Sequence, residues 1–387
     1  MQLCNLKIIE KVEPVNIEVS REQIKNITSY AKNKILKTRD SIFFEDSLAF
    51  PGLINSHDHL DFNLFPQTGN RVYKNYVEWG EDIHVRNKEM IRSVLKIPQQ
   101  LRTEWGMYKN LLNGITKVVN HGEKLNIRDN FITVFQNNYD LHSIQFEKNW
   151  KLKLNNLFTN EQPYVIHVGE GTDRAAHKEI DQLIQWNVFK RKIIGVHGVA
   201  MGQDQATVFK ALVWCPSSNY FLLNCTAAID ELKTETSILF GTDSTLSANW
   251  NLWEHLRLAR NTLLLTDEEL FHSLTKTPAA IWKQNSTASI AVNQQADIVV
   301  ANSNNKTGFD AFYSINPEDI QLILRKGEIL LFDEAIKNQL AAINLSLSLF
   351  SKICINGKVK YVYGDVPGLM NEVLSYYPEA IFPISAL

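Results

Sequence analysis

From about residue 50 to residue 290, short runs of β-branched and aliphatic residues end in polar ones and alternate with amphipathic stretches. This rhythm constrains the fold more than any other feature, because strands buried on both faces read as continuous apolar runs while half-solvated strands alternate. The runs fall at 49–54, 115–120, 132–135, 141–146, 164–168, 192–196, 212–214 and 237–240. Helices are expected between them at 85–113, 173–189, 203–210 and 251–265. Eight strands separated mostly by helices predict an α/β chain built on a (β/α)8 TIM-like barrel of about 240 residues. Residues 121–163 must hold the third and fourth strands with little room for a helix between them, so the barrel is expected to be compressed or irregular there.

The ends of the chain read differently. Runs at 6–9 and 42–44 suggest strands, and 21–37 a polar helix or loop. After residue 290 strand signals return at Asp297-Ile-Val-Val-Ala301, at 320–331 around Lys326-Gly327, and at 353–363 around Asn356-Gly357. The last pair is a strong hairpin signal. The expected layout is therefore 1–50 and 291–387 as two parts of one small composite β-sandwich, with 51–290 as the barrel.

A hydrophobic share of 44% and a charged share of 21% argue against a disordered chain. Forty Lys and Arg against 42 Asp and Glu leave a net charge of −2, with no general drive toward phosphate backbones or anionic membrane surfaces. No run of ~18 apolar residues suggests a membrane-spanning helix, and the first residues lack a basic patch followed by an apolar stretch. Nucleic-acid and membrane partners are not expected, and a cytoplasmic location is the default. Cys4, Cys215, Cys225 and Cys354 form no CxxC pair and read as reduced, mostly buried thiols.

Chemistry is concentrated at strand ends. In Pro51-Gly-Leu-Ile-Asn-Ser-His57-Asp-His59 the two histidines stand at i and i+2, so a strand projects both to one side. The C-terminal strand ends of such a barrel carry the active site, and two converging imidazoles there suit a metal such as zinc. Tyr164-Val-Ile-His167 ends another run, with Glu170 three residues on; Ile193-Ile-Gly-Val-His197 and Ile238-Leu-Phe-Gly-Thr-Asp243 end two more. Singly, each fits a capping or turn residue. Together, four strand ends supply a His pair, a His with a Glu, a His and an Asp.

These residues resemble the amidohydrolase superfamily, in particular its branch of cytosine, guanine and adenosine-type deaminases and chlorohydrolase-like triazine hydrolases. The resemblance extends through Cys215-Pro-Ser-Ser-Asn219, Leu274-Thr-Lys-Thr-Pro-Ala-Ala and Gln295-Ala-Asp-Ile-Val-Val. It implies one divalent metal ion, zinc ahead of iron, held by His57, His59, His167 and Asp243. It also implies Glu170 as proton shuttle, His197 as the group that polarises substrate or assists the water, and Asp243 as acceptor of a proton from that water. A metal ion can lower the pKa of bound water from 15.7 to about 7. Binuclear relatives carry a carboxylated lysine after the fourth strand; Lys148 lies near that place but reads as a surface lysine, and His-x-x-Glu favours a single ion.

His121 ends the second run and is a candidate substrate contact, with a structural role the alternative. His84, His142, His177, His255 and His272 read as non-ligands. Residues 61–84 are long for a strand-to-helix loop and carry Phe62, Phe65, Tyr73, Tyr76 and Trp79. Phe62 and Trp79 are candidate walls for a heteroaromatic ring, with packing onto the barrel the other reading; Trp250 and Trp253 invite the same two. The expected activity is metal-dependent hydrolysis of a non-peptide C–N bond, foremost deamination of an aminated N-heterocycle. Cyclic-amide hydrolysis, as in relatives resembling imidazolonepropionase, and an inactive binding protein are the alternatives. The expected partner is a small molecule, with a homodimer left open.

Overall fold

The structure, a computed structural model, describes residues 1–9, 11–30, 40–159 and 161–387. Its strands are β1 (Gln2–Ile8), β2 (Lys11–Ser20), β3 (Gln23–Ser29), β4 (Ser41–Pro51), β5 (Leu53–Asp58), β6 (Ile115–Asn120), β7 (Thr133–Phe135), β8 (Tyr139–Ser143) and β9 (Tyr164–Val168). They continue with β10 (Ile193–His197), β11 (Ala211–Trp214), β12 (Ser237–Phe240), β13 (Ile298–Asn302), β14 (Ile320–Arg325), β15 (Glu328–Asp333), β16 (Phe350–Ile355), β17 (Lys358–Tyr363) and β18 (Ser385–Ala386). The chain is an α/β protein: β5–β6–β7 form one parallel sheet and β8 to β12 another in sequential order. Both sheets face one apolar interior, in which Ile54, Val119, Val165, Ile194, Val196, Val213 and Leu239 pack together against Phe135 and Trp282.

The remaining ten strands make one sheet, in the order β18-β16-β17-β15-β14-β13-β4-β1-β2-β3. Both ends of the chain meet at its centre, where β4 pairs in parallel with β1 and antiparallel with β13. Asn356-Gly357 and Lys326-Gly327 turn the β16–β17 and β14–β15 hairpins, all four with φ between 44° and 78°, the left-handed pair that a two-residue hairpin turn of matching twist requires. A buried pair, Lys117 with Asp297, joins β6 to the start of β13, and the Asp297 carbonyl accepts from Gly52 N at 2.9 Å.

Several expectations are corrected. The run 49–54 is two strands, not one. Up to Pro51 it belongs to the ten-stranded sheet, and from Leu53 to the parallel sheet. Gly52 makes the crossing where a Cβ would meet the Thr116 hydroxyl at 2.3 Å. The stretch expected as helix over 85–113 is three helices, Tyr76–Arg86, Lys88–Leu95 and Gln99–Leu112. Asn75 starts the first, its side chain accepting from Glu78 N, and Pro98 precedes the third. Residues 61–84 are therefore not loop throughout. Within 21–37, Gln23–Ser29 is a strand paired with β2; positions 31–37 lie outside the described residues. The compression at 121–163 is present: only residues 136–138 join β7 to β8, and the two parallel sheets part at that junction. A crossover between adjacent parallel strands needs a dozen or more residues, so three cannot continue the ladder. No helix among the described residues is long and apolar enough to cross a membrane.

Candidate active site and metal centre

Strand ends β5, β9, β10 and β12 bring His57, His59, His167, His197 and Asp243 together. His167 Nε2 lies 3.2 Å from His57 Nε2 and 3.3 Å from His59 Nε2. Asp243 Oδ1 lies 3.7 Å from each of the His57 and His59 Nε2 atoms. Four ligand atoms about 2.0–2.1 Å from a tetrahedral ion sit about 3.3 Å apart, so the contacts of His167 with His57 and His59 have the spacing of ligands sharing one zinc-sized ion. The electrostatics agree. Burial, reinforced by neighbouring imidazoles, pushes the His57, His59 and His167 pKa values below the usual imidazole range. These shifts favour the neutral imidazole, the form that can donate a lone pair to a cation. Two donor groups can be drawn from the set: His57, His59 and His167, and His57, His197 and Asp243.

Three of these side chains are oriented from behind. His167 Nδ1 donates to the His142 carbonyl at 2.8 Å, leaving Nε2 to face the cluster. His197 Nδ1 donates to Asn219 Oδ1 at 2.9 Å, which likewise turns Nε2 inward. Asp243 Oδ2 accepts from the Ser218 and Ser247 hydroxyls, both at 2.8 Å, and Oδ1 from Ser244 N. Burial alone would raise this carboxyl, but His57, His59, His197 and Ser247 outweigh it and hold it well below the usual range. His197 (φ 72°) and Asp243 (φ 55°) both take left-handed backbone conformations; such strain in non-glycine residues concentrates at functional sites.

Glu170 is buried, 3.6 Å from His197 Nε2. Burial, with Asp243 and Glu179 nearby, raises its pKa well above the carboxylate range. The loop carrying it is pinned on two sides. Glu179, on the helix Arg174–Trp186, accepts from Gly169 N at 2.7 Å and from the Tyr76 hydroxyl at 3.1 Å, while Tyr76 N donates to the Glu170 carbonyl. Sequence patterns did not single out Glu179, Asp58 or Lys109, because a charge inside a helical or strand run carries no local mark of its partner. Asn219 and Ser218 lay within a quoted motif but had no assigned role.

His121 reaches the cluster. Its ring centroid is 4.4 Å from that of His167 and 5.2 Å from that of His57. Asp140 Oδ1 lies 3.2 Å from Nδ1, yet neither buried ring nitrogen has a well-formed hydrogen bond. Phe62 stacks on His59 at 5.5 Å and 19°. Trp79 instead donates from Nε1 to Thr68 O and packs with Tyr73, Leu222 and Leu223, bracing the covering segment. Trp253 is buried against Phe50 and Phe312, and Trp250 is partly buried against the main core. Lys148 is exposed in the turn after β8. His84 and His177 are exposed, and His255 is buried with Nε2 donating to Asn249 O. All four cysteines are free thiols.

No protein-family model matches the sequence, and no curated protein matches it. Solved structures do match. An adenosine deaminase from Xanthomonas campestris with bound zinc superposes with a TM-score of 0.65 at 14% identity, covering 89% of this chain and 96% of that one. Atrazine chlorohydrolase TrzN from Arthrobacter aurescens TC1, complexed with zinc, gives 0.62 at 14%, covering 88% and 99%. Guanine deaminase from C. acetobutylicum with bound guanine gives 0.60 at 14%, covering 85% and 98%. At such identity the likeness is one of fold, and the chain shares that fold with deaminases and hydrolases of the amidohydrolase superfamily.

Proposed function

We propose that the protein is a metal-dependent hydrolase of non-peptide C–N bonds that deaminates an aminated N-heterocycle. The observation that carries the reading is the convergence of His57, His59 and His167, with Asp243 Oδ1 3.7 Å from two of them and a buried Glu170 whose pKa is raised in the same cluster. A divalent ion held by those four, zinc ahead of iron, supplies Lewis acidity and a water acidified to a pKa of about 7. Asp243, held ionised, takes a proton from the nucleophilic water at its carboxylate. Burial favours the protonated form of Glu170, which would give its proton to a ring nitrogen, take the remaining proton of the added hydroxyl and pass that one to the departing amine, Asp243 finally returning its proton to Glu170. His197, with Nδ1–H given to Asn219, offers Nε2 to the nucleophile or to a substrate oxygen.

His121 needs a partner for its buried ring, and a polar atom of the substrate supplies one. Phe62, stacked on His59, offers a flat wall for a heterocycle. A zinc-bound adenosine deaminase and a guanine-bound guanine deaminase of the same fold support the substrate class. The reading takes the parallel strands of 51–290 as one closed (β/α)8 barrel, which the shared interior supports. It takes 1–50 and 291–387 as one β-sandwich domain, which their common sheet supports.

The test is elemental analysis of protein purified without added metal, alongside ammonia release from aminated pyrimidines, purines, pterins and triazines. Near one equivalent of zinc or iron and release of ammonia are expected. Glu170→Gln should keep the metal and lose about 10²–10⁴-fold in turnover. Metal without ammonia from any of these would move the assignment to cyclic-amide hydrolysis, and no metal after reconstitution would overturn it.

A further inference from the structure

The ligand set straddles a seam. His57 and His59 come from the end of β5 and Asp243 from the end of β12, and these two strands belong to different sheets. Among the described residues, main-chain bonding across the seam at the site is a single contact, Asp243 N to His57 O at 3.1 Å. Five buried polar side chains do the rest: Asn55, Asp58, Lys109, Asn110 and Thr242, none more than 1% exposed.

Lys109 is central to them. It sits in the helix Gln99–Leu112, which Gly106 brings so close to the turn that follows β5 that a Cβ there would lie 2.1 Å from the Leu60 carbonyl oxygen. Its ammonium spends all three protons on this seam, on Asp58 Oδ2, Thr242 Oγ1 and the Asp243 carbonyl, each at 3.1 Å. Asp58, the residue between His57 and His59, also accepts from Asn110 Nδ2 at 2.8 Å and Asn63 Nδ2 at 2.8 Å. Asn55 completes the crossing. Its Oδ1 accepts from Thr242 N at 3.1 Å, and its Nδ2 donates to Thr242 Oγ1 at 2.7 Å and to Asn110 Oδ1 at 2.9 Å.

We infer that Lys109 and Asp58 are a positioning pair, a buried ion pair that holds Asp243 at coordinating distance from His57 and His59 and so sets the grip on the metal. The pair touches neither the metal nor the substrate. One cation bonds the main chain of one ligand and the side chain lying between two others, so the three move only together. The partners leave no other use for so deeply buried a lysine: its donors are filled, and none of them points to substrate. The inference rests on the metal reading above. Supporting groups of this kind typically change metal affinity about 10–100-fold.

The experiment measures zinc release to a chelating indicator from native protein and from the charge-neutral double variant Lys109→Met with Asp58→Asn, with thermal midpoints read in parallel. Zinc release is expected to accelerate at least tenfold in the double variant, and more than in a variant of equal thermal loss made in the apolar interior, Val213→Ala. Release within twofold of native, or no faster than in Val213→Ala, would overturn the pairing while leaving the metal site intact. If the double variant does not fold, Thr242→Val, which removes the acceptor shared by Lys109 and Asn55, should raise release about tenfold, and unchanged release would overturn the inference. Native protein that takes up no zinc would instead remove the metal reading itself, and this inference with it.

Discussion

Glu179 shows what burial does to a single carboxyl. Enclosure raises its pKa from the ordinary value to about 7, against the opposing pull of the Gly169 N–H and the Tyr76 hydroxyl. The folded state therefore binds a proton more tightly than the unfolded chain. Stability from this residue is present in full below about pH 4.5 and is lost as pH rises to about 7. In the protonated form one oxygen accepts from Gly169 while the other donates to Tyr76, and a glutamine amide reproduces that pattern. Glu179→Gln is expected to flatten the fall in unfolding free energy between pH 5 and 7 by about 1–3 kcal/mol, measured by urea denaturation across that range. A variant whose slope parallels that of the native protein would show that Glu179 does not titrate there. The residues legible in the sequence were those at strand ends, where chemistry and position coincide: His57, His59, His167, His197 and Asp243. Glu179 and Lys109 were not, because each lies within a helix, and its partner is set by tertiary packing that no local period encodes.

At the scale of elements, the apolar runs located every strand of the two parallel sheets to within a few residues. They failed where one run served two sheets. The continuous stretch 49–54 gave no sign that Gly52 hands the chain from one layer to the next, since hydrophobicity is the same on either side of it. The helix beginning at Tyr76 was hidden by its aromatic content, although Asn75 with Glu78 three residues on is an N-terminal capping signal. The helix Lys276–Ile281 delivers a residue whose role the sequence did not suggest. Trp282, just beyond it, is 3% exposed, sits 5.2 Å from the Phe135 ring and points its Nε1 at Ser56 Oγ. It occupies the interior that both parallel sheets line. Trp282→Ala should cost about 3–5 kcal/mol in chemical denaturation. A loss under 1 kcal/mol would mean the sheets close without it.

The whole molecule depends on its two ends meeting. The second apolar core takes Leu3, Leu6, Val15, Ile17 and Phe44 from the first fifty residues and Ile298, Val300, Leu322, Leu324 and Phe332 from the last ninety. Neither group encloses the other's apolar surface alone. A chain ending at residue 290 is expected to elute from size exclusion as aggregate and to be cleaved within 1–50 by protease under conditions that leave the full chain whole. A monodisperse, resistant fragment would show that residues 51–290 fold without this sheet. The same arrangement has a consequence for biosynthesis. On the ribosome β1 to β4 emerge well before β13, and the edge of β4 that receives β13 stays open until the roughly 250 residues from Pro51 to Ile298 have been translated. At about 5–20 residues per second that delay is roughly 12–50 s. Throughout it, an apolar strand edge is available to any other nascent chain, so yield in a host should depend on holdase chaperones and on slow, dilute expression.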